Sequence, residues 1–599
     1  MVYMDYALIG NCQGSALVKS NGDVVWCCMP TLDSPSVFAR LLDQEKGGHF
    51  AIQPQGAYLT EQAYRRNTNI LETTYTSPDW CFKVIDFMPR WSLNAEAQCY
   101  TGQELYRLIE VIRGTPKVVV EFNPQLDYAR GTTTVSAMDP MTLIASNQPH
   151  SDAQVFLSTN IVPDAILNHE PVELNDGDFF AVAYGQPVVD LTTGHVLDKL
   201  QKTSDYWRHW VKTCYLPKQY QKEIIRSALT LKMLVYEPTG AIIAAPTTSI
   251  PEIIGGNRNW DYRFCWLRDA YFIIEALLKL SRFEVVEGFI GYLKGLLTDK
   301  QTQEYLRPMF TIDGTVVPEE ISLRHLEGYL GSKPVHVGNS ATTHYQNDVY
   351  GEMVLALYPM FTDERVVRDD TEQLWGMIEY LVAIAIKKFD EEDNGLWEFR
   401  NFPRHYTFSK LMCWVALDRG CKIARLLNKE KTLRVWSKEK QRMRADILER
   451  AWNPDIQAFT QAYGSEHLDA STLLMPLLGI IDAKDPRMLS TILLSEEKLM
   501  VNGLAFRYTN TDDFGDPENS FTICTFWMID ALILIGQKRR ARKYFENVLQ
   551  YANHVGLFSE DVNPKSGELT GNFPQGYTHV AIINTAMLLA SQPRQPVGV

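Results

Sequence analysis

No two of the ten cysteines stand at C-x-x-C spacing, and Cys27 and Cys28 are chain neighbours that cannot easily bridge to each other. That excludes a thiol-redox motif and a disulfide framework. Cys265, Cys413 and Cys524 sit inside apolar runs and read as buried thiols in a reducing compartment. Histidine is scarce, 12 in 599 residues, and His336, His344 and His579 lie too far apart for a zinc pattern. Neither a metal nor a cofactor is expected. No apolar run approaches the roughly 20 residues of a membrane span. The start, MVYMDYALIG, has no basic region and no long apolar stretch, so no secretory signal is visible. The expectation is a soluble cytoplasmic protein with no membrane partner. Positive charge is not clustered: the formal net charge is −14, and the short basic run at 438–444 falls on a helical face. No nucleic-acid partner is expected. P-loop, G-x-S-x-G and dinucleotide fingerprints are also missing.

What is present is a rhythm that changes along the chain, and 599 residues leave room for more than one domain. Residues 1–196 read as short strands bounded by turns. GSALVKSNGDVVWCCMP, with Asn21-Gly22 between two apolar runs, is a hairpin signal. Many such strands predict a β-sandwich. Residues 197–218 read as an amphipathic helical linker. From 219 to 599 the apolar period becomes helical. Helices are predicted near 219–236, 268–280, 283–298, 343–359, 369–389, 407–426, 432–450, 469–480, 485–495, 519–535, 538–553 and 577–592. Short connections follow the even-numbered helices and long ones the odd-numbered. Six hairpins with every long loop on one side close as an (α/α)6 barrel. A solenoid would need a repeated unit, and none is visible. The expected architecture is therefore a multidomain β-plus-α chain, an N-terminal β-sandwich followed by an (α/α)6 barrel. The long loops, near 237–267, 299–342, 390–406, 451–468, 496–518 and 554–576, then gather at one mouth, where function is expected.

The first of these loops ends in GGNRNWDYRFCWLRDA, Gly255 to Ala270, dense in rings and charges together. A plain core avoids that many charges, and a disordered segment avoids that many rings. A sugar needs both, rings for its C–H faces and charged hydrogen-bonders for its hydroxyls. The third loop carries Glu398 after Leu396-Trp397, and the sixth carries Glu560 after Leu557-Phe558. Two carboxylates facing one cavity meet the requirement of glycoside hydrolysis: one protonates the leaving oxygen and the other activates water or attacks carbon. Trp397 beside Glu398 is expected to raise its pKa and make it the proton donor. Glu560, beside Asp561 and polar groups, is expected to be the ionised base. Bland readings compete. A single loop Glu is usually solvated, Asp269 at a helix start is often only a dipole partner, and Trp260, Trp266 and Trp397 can be core. DEEDNG begins like a calcium loop but has Asn401 where the bidentate Glu belongs.

RNWDYRFCWLRDA, VGNSATTHYQNDVYGE, GLWEFRNFPRHYTFSKLMCWVALDRG and GLFSEDVNPKSGELTGNFPQGYTHVAIINTA together resemble glycoside hydrolase family 15, the glucoamylases and related bacterial and archaeal trehalases. The start, YALIGNCQGSALVKSNGDVVWCCMPTLDSPSVFARLLD, resembles that family's N-terminal β-sandwich. The resemblance implies an inverting exo-hydrolase that removes glucose from the non-reducing end of an α-glucoside. It implies Glu398 in GLWE as general acid and Glu560 in GLFSED as general base. Arg268 and Asp269 in WLRD would hold hydroxyls of the terminal glucose, Arg507 in LAFRY would line the same subsite, and Trp397 would flank the acid. Trp260, Trp266 and Tyr508 complete the expected substrate-binding set. Fungal glucoamylases carry a second acidic residue after the acid; here Phe399 stands there, which bears on the +1 subsite. The leading expectation is glucoamylase-type release of β-D-glucose from α-glucans or malto-oligosaccharides. The alternatives are an α,α-trehalase, with the same −1 subsite, and a glycan-binding or regulatory protein with an inactive barrel. A phosphorylase on a related fold would replace the second carboxylate with a phosphate site, and Glu560 argues against it.

Overall fold

The computed structural model describes residues 4–93, 98–147, 151–298, 305–366 and 370–591. Two large antiparallel sheets form most of the N-terminal part, beside a two-stranded one of Arg90–Ser92 and Cys99–Thr101. One has the order Tyr6–Gly10, Ser15–Lys19, Val24–Cys28, His49–Pro54, Lys117–Asn123, Val172–Glu173, with Ser36–Phe38 also on Val24–Cys28. The other has the order Thr134–Asp139, Thr142–Ser146, Gln154–Thr159, Phe179–Tyr184, Glu104–Arg113, Cys81–Phe87, Leu71–Thr76, Leu59–Tyr64. Ser15–Lys19 and Val24–Cys28 are the hairpin expected about Asn21-Gly22, and Gly22 supplies the positive φ of its turn. The sheets enclose a core that includes Ile9, Val18, Phe50, Val84, Leu105 and Phe180, so the sandwich is as expected. Helix Thr193–Lys212 then packs Val196 and Leu200 on the outer face of the larger sheet.

Helices follow in two concentric sets. The inner ring is Leu267–Lys279, Val349–Leu357, Thr407–Leu426, the 3-10 turn Ala470–Leu474 running into Met475–Leu478, Thr522–Leu534 and Gly576–Ala590. Each packs on the next, and Gly576–Ala590 returns to Leu267–Lys279, closing the ring. The outer set is Gln221–Met233, Phe283–Thr298, Thr371–Lys388, Glu430–Arg450, Pro486–Leu499 and Lys538–Val548. Side chains decide which set a segment joins. TICTFWMIDALIL, at 522–534, buries almost every residue and lies inside. KRRARKYFENV, at 538–548, buries only Ala541, Phe545 and Val548 and lies outside. The expected helix at 343–359 begins only at Val349, because Ser340–Thr343 is a short 3-10 turn capped by Asn339. The expected helix ends at 369 and 592 lie outside the described residues. Among the described residues no helix is long and apolar enough to cross a membrane.

The sandwich and the barrel share one continuous apolar core. Leu8, Leu17 and Trp26 pack with Ile224 and Leu231 of the outer helix Gln221–Met233. Trp26 Nε1 donates to the Pro246 carbonyl at 2.7 Å, and Arg263 donates to the Ser34 carbonyl at 2.8 Å. The sandwich therefore grips the first long loop of the barrel, which continues into the dense stretch at 255–270.

Candidate active site

Long loops run into the N-termini of the inner helices, so those N-termini point at one mouth. A single cavity of about 840 Å³, counted to its open side, lies there. All nine singled-out residues line it: Trp260, Trp266, Arg268, Asp269, Trp397, Glu398, Arg507, Tyr508 and Glu560. Arg268, Asp269 and Tyr577 stand in first turns of inner helices, where the positive ends of helix dipoles favour the negative charge gathered in the pocket. Beneath lies a layer of rings. Phe272 meets Tyr577 edge-on at 5.4 Å, and Trp527 lies 6.1 Å from Trp397. Phe272 and Trp527 line a second cavity on the other side of this layer. The barrel thus offers a pocket and not a through-channel.

Glu398 sits on a tight loop in the left-handed region, φ 63°, a conformation costly for a residue with a side chain. The Glu398 N–H closes on the Gly395 carbonyl at 3.1 Å, and Asn394 Nδ2 clamps the Phe399 carbonyl at 2.6 Å. Gly395 is required, since its φ is 68° and a Cβ would lie 2.7 Å from the Tyr406 ring. Three donors converge on Glu398 Oε1: Trp266 Nε1 at 2.9 Å, Gln346 Nε2 at 3.2 Å and Arg268 Nη2 at 3.3 Å. The Glu398 side chain is still 25% exposed to the pocket. Trp397 was the expected neighbour of Glu398. The Trp397 indole N–H donates instead to Asp469 Oδ2 at 2.8 Å, and its ring packs on Phe521 and Tyr508. The indole at Glu398 is that of Trp266.

Glu560, expected beside polar groups and ionised, is a deeply buried carboxylate. It precedes the strand Asp561–Val562, which pairs with Ser520–Phe521 and with Leu569–Thr570. Tyr262 Oη donates to Glu560 Oε1 at 2.6 Å. Burial pushes the Glu560 pKa up to about 8; the negative charge of Glu252 adds to the shift, while Tyr262 and Arg507 oppose it. Tyr262 also packs 5.4 Å from Trp266, so one pair of rings carries donors to both glutamates.

Arg268 is less free for a ligand than its motif suggested. Its guanidinium donates to Tyr577 Oη at 2.8 Å, to Gln346 Oε1 at 2.8 Å and to Glu398. Asp269 is buried, and burial raises its pKa to about 7; Arg268 opposes and Glu398 adds to the rise. Arg507 forms a two-pronged pair with Glu252, at 3.0 and 2.9 Å. Glu252, Arg258, Tyr262, Gln346, Tyr577 and Asp512 were not singled out from sequence. All but Asp512 fall in or beside the motif stretches, yet their partners are up to hundreds of positions away, so spacing alone carries no sign of them.

Two buried-to-rim carboxylates in a ring-lined pocket at the mouth of a closed helical barrel define a barrel glycoside hydrolase. The chain belongs to glycosyl hydrolases family 15: that family's model matches residues 218–587, and a trehalase-like, N-terminal model matches residues 4–173. A trehalase from Thermoplasma volcanium is 34% identical over 587 residues, covering 97% of this chain and 92% of its own. One from Mycolicibacterium smegmatis is 35% identical over 609 residues, covering 97% and 90%. A bacterial glucoamylase solved with acarbose superposes with a TM-score of 0.70 at 14% identity, over 98% of this chain and 93% of its own. That likeness shows the fold.

Proposed function

We propose that this glycoside hydrolase is an inverting α,α-trehalase, with Glu398 as general acid and Glu560 as general base. The observation that carries the substrate is the end-to-end similarity to proteins named trehalase, through the N-terminal sandwich as well as the barrel. The leading glucoamylase expectation yields to it, since at 14% identity the glucoamylase likeness speaks to fold alone. The +1 side agrees. Phe399, in place of a second acid, stacks on Tyr406 with centroids 5.2 Å apart.

In this reading one glucose of trehalose occupies the deep end, with Asp269 and Arg268 at its hydroxyl edge and Trp260 and Trp266 at its faces. Glu398 Oε2 gives its proton to the bridging oxygen. Glu560 takes a proton from water, whose oxygen bonds to the anomeric carbon as the C–O bond breaks. The products are one β-D-glucose and one α-D-glucose, with Glu398 ionised and Glu560 protonated until solvent resets them. A high proton affinity suits a base working near neutrality. The test is proton NMR of trehalose hydrolysis before the anomers equilibrate. Equal α and β glucose is expected. Only α-glucose would mean retention, and activity on maltose without activity on trehalose would restore the glucoamylase reading.

A further inference from the structure

The loop at 496–518 does more than contribute Arg507 to the pocket. Two consecutive aspartates in it tie down two other loops of the mouth. Asp512 takes both prongs of Arg258, at 2.9 and 2.5 Å, and the Tyr508 hydroxyl at 2.5 Å. Arg258 belongs to the first loop and also donates to the Gly515 carbonyl at 2.9 Å. Asp513 accepts from the backbone N–H of Arg400 at 2.6 Å and from Asn401 Nδ2 at 2.7 Å. Arg400 is two residues past Glu398, so the same loop that presents the acid is fastened to this segment.

Phe514 sits at the knot. Trp260 meets its ring edge-on at 5.4 Å, and the guanidinium groups of Arg258 and Arg400 lie 5.5 and 5.1 Å from its centroid. All of these residues line the pocket. A two-pronged charged pair and charge-assisted bonds to backbone N–H groups make a fixed wall rather than a swinging flap. Its place follows from the acid. In the proposed reading Glu398 protonates the oxygen between the two sugars, and the knot fastened just beyond Glu398 is assigned to the leaving side.

We propose that Asp512, Asp513 and Phe514 form a cap on the leaving-sugar side that admits one sugar unit and rejects longer chains, a role that rests on the reading of Glu398 as the acid. An exo-enzyme for long chains must leave that side open; a disaccharide enzyme gains by closing it. The cap is thus a specificity device, and Phe514 is its determining side chain.

The discriminating substrate is α-maltosyl α-glucoside, which is trehalose with one more glucose on the leaving side. Its productive cleavage yields glucose and maltose. Wild type, Phe514→Ala and Asp513→Ala are compared on it and on trehalose by kcat/KM, with maltose as the readout for the trisaccharide. Maltose and maltotriose serve as a second pair, and thermal melting confirms that each variant is folded. Wild type should strongly prefer the shorter sugar of each pair. Phe514→Ala should raise the long-to-short ratio by about tenfold or more, the scale of removing one steric wall, while raising KM for the disaccharide. An unchanged ratio in folded variants, or a wild type that accepts both lengths equally, would overturn the cap. If wild type cleaves maltose but not trehalose, the substrate reading fails, and the maltotriose-to-maltose ratio still decides the cap.

Discussion

Two residues of one type receive opposite surroundings here. Glu398 has one oxygen saturated by three N–H donors and the other open to the pocket. Glu560 is buried, with a pKa raised to about 8 by that burial and by Glu252. The roles can be separated by leaving group. α-Glucosyl fluoride departs without a proton, so Glu398→Gln should lose roughly 10²–10⁴-fold on trehalose yet keep much of its activity on the fluoride. Glu560→Gln should lose both, with azide restoring turnover as β-glucosyl azide. Swapped behaviour would reverse the assignment. The pH dependence has a definite sign. A base must be ionised, so kcat/KM should fall on acidification through an apparent pKa well above the ordinary glutamate value near about 4.3. The same shift bears on stability. A carboxyl whose folded pKa exceeds its unfolded one contributes stability that is full below the unfolded pKa and is lost as pH rises through the folded pKa. Glu560→Gln should therefore melt higher than wild type above pH 8, with the difference shrinking toward pH 4. An acid limb near 4 and identical melting curves at high pH would count against the buried base.

At the scale of elements, the two candidate glutamates hang on a tight loop and a short strand, each set beside a glycine in the left-handed region. Gly571 follows the strand Leu569–Thr570, has φ 79° and would place a Cβ 2.8 Å from Glu560 Cβ and Oε2. Gly571→Ala should push the base out of line. A misplacement of about 1 Å can cost roughly 10²-fold in rate, so kcat should fall by about that much while the far-ultraviolet spectrum stays that of wild type. Full activity in this variant would show that the strand trio does not set the position of Glu560. These examples also mark what was legible beforehand. The barrel followed from loop lengths alone, because alternation of long and short connections is a property of local sequence. The two glutamates followed from motif and loop position. Their electrostatics did not, because each environment is assembled across the ring: Trp266, Arg268 and Gln346 reach Glu398 from 132, 130 and 52 positions away. Adjacency in the chain pointed to Trp397, whose N–H turns to Asp469. The buried state of Glu560 was hidden for the same reason, since Tyr262 comes from 298 positions away.

At the scale of the whole molecule, the sandwich supports the candidate site although none of its described residues lines the pocket. Beyond the shared apolar core, two of its contacts hold the first long loop directly. Trp26, 1% exposed, fills the junction and holds the Pro246 carbonyl. Arg263, buried and paired with Asp261 at 2.6 Å, reaches back to the Ser34 carbonyl. Tyr262, the donor to Glu560, lies between Asp261 and Arg263, and Trp266, the donor to Glu398, lies three residues on. Removal of the sandwich would expose the apolar face of helix Gln221–Met233 and strand the Arg263–Asp261 pair without its outer partner. A chain beginning after helix Thr193–Lys212 should therefore be insoluble, or soluble without activity. The milder test is Trp26→Ala. Deleting a buried Trp costs about 3–5 kcal/mol, so a large fall in the urea midpoint is expected. Activity should fall at temperatures where the protein is still folded, because the loop that holds Tyr262 and Trp266 loses its anchor. A barrel alone with a cooperative melt and wild-type kcat would show that the first loop holds its shape without the sandwich, and would reduce the N-terminal part to a passenger.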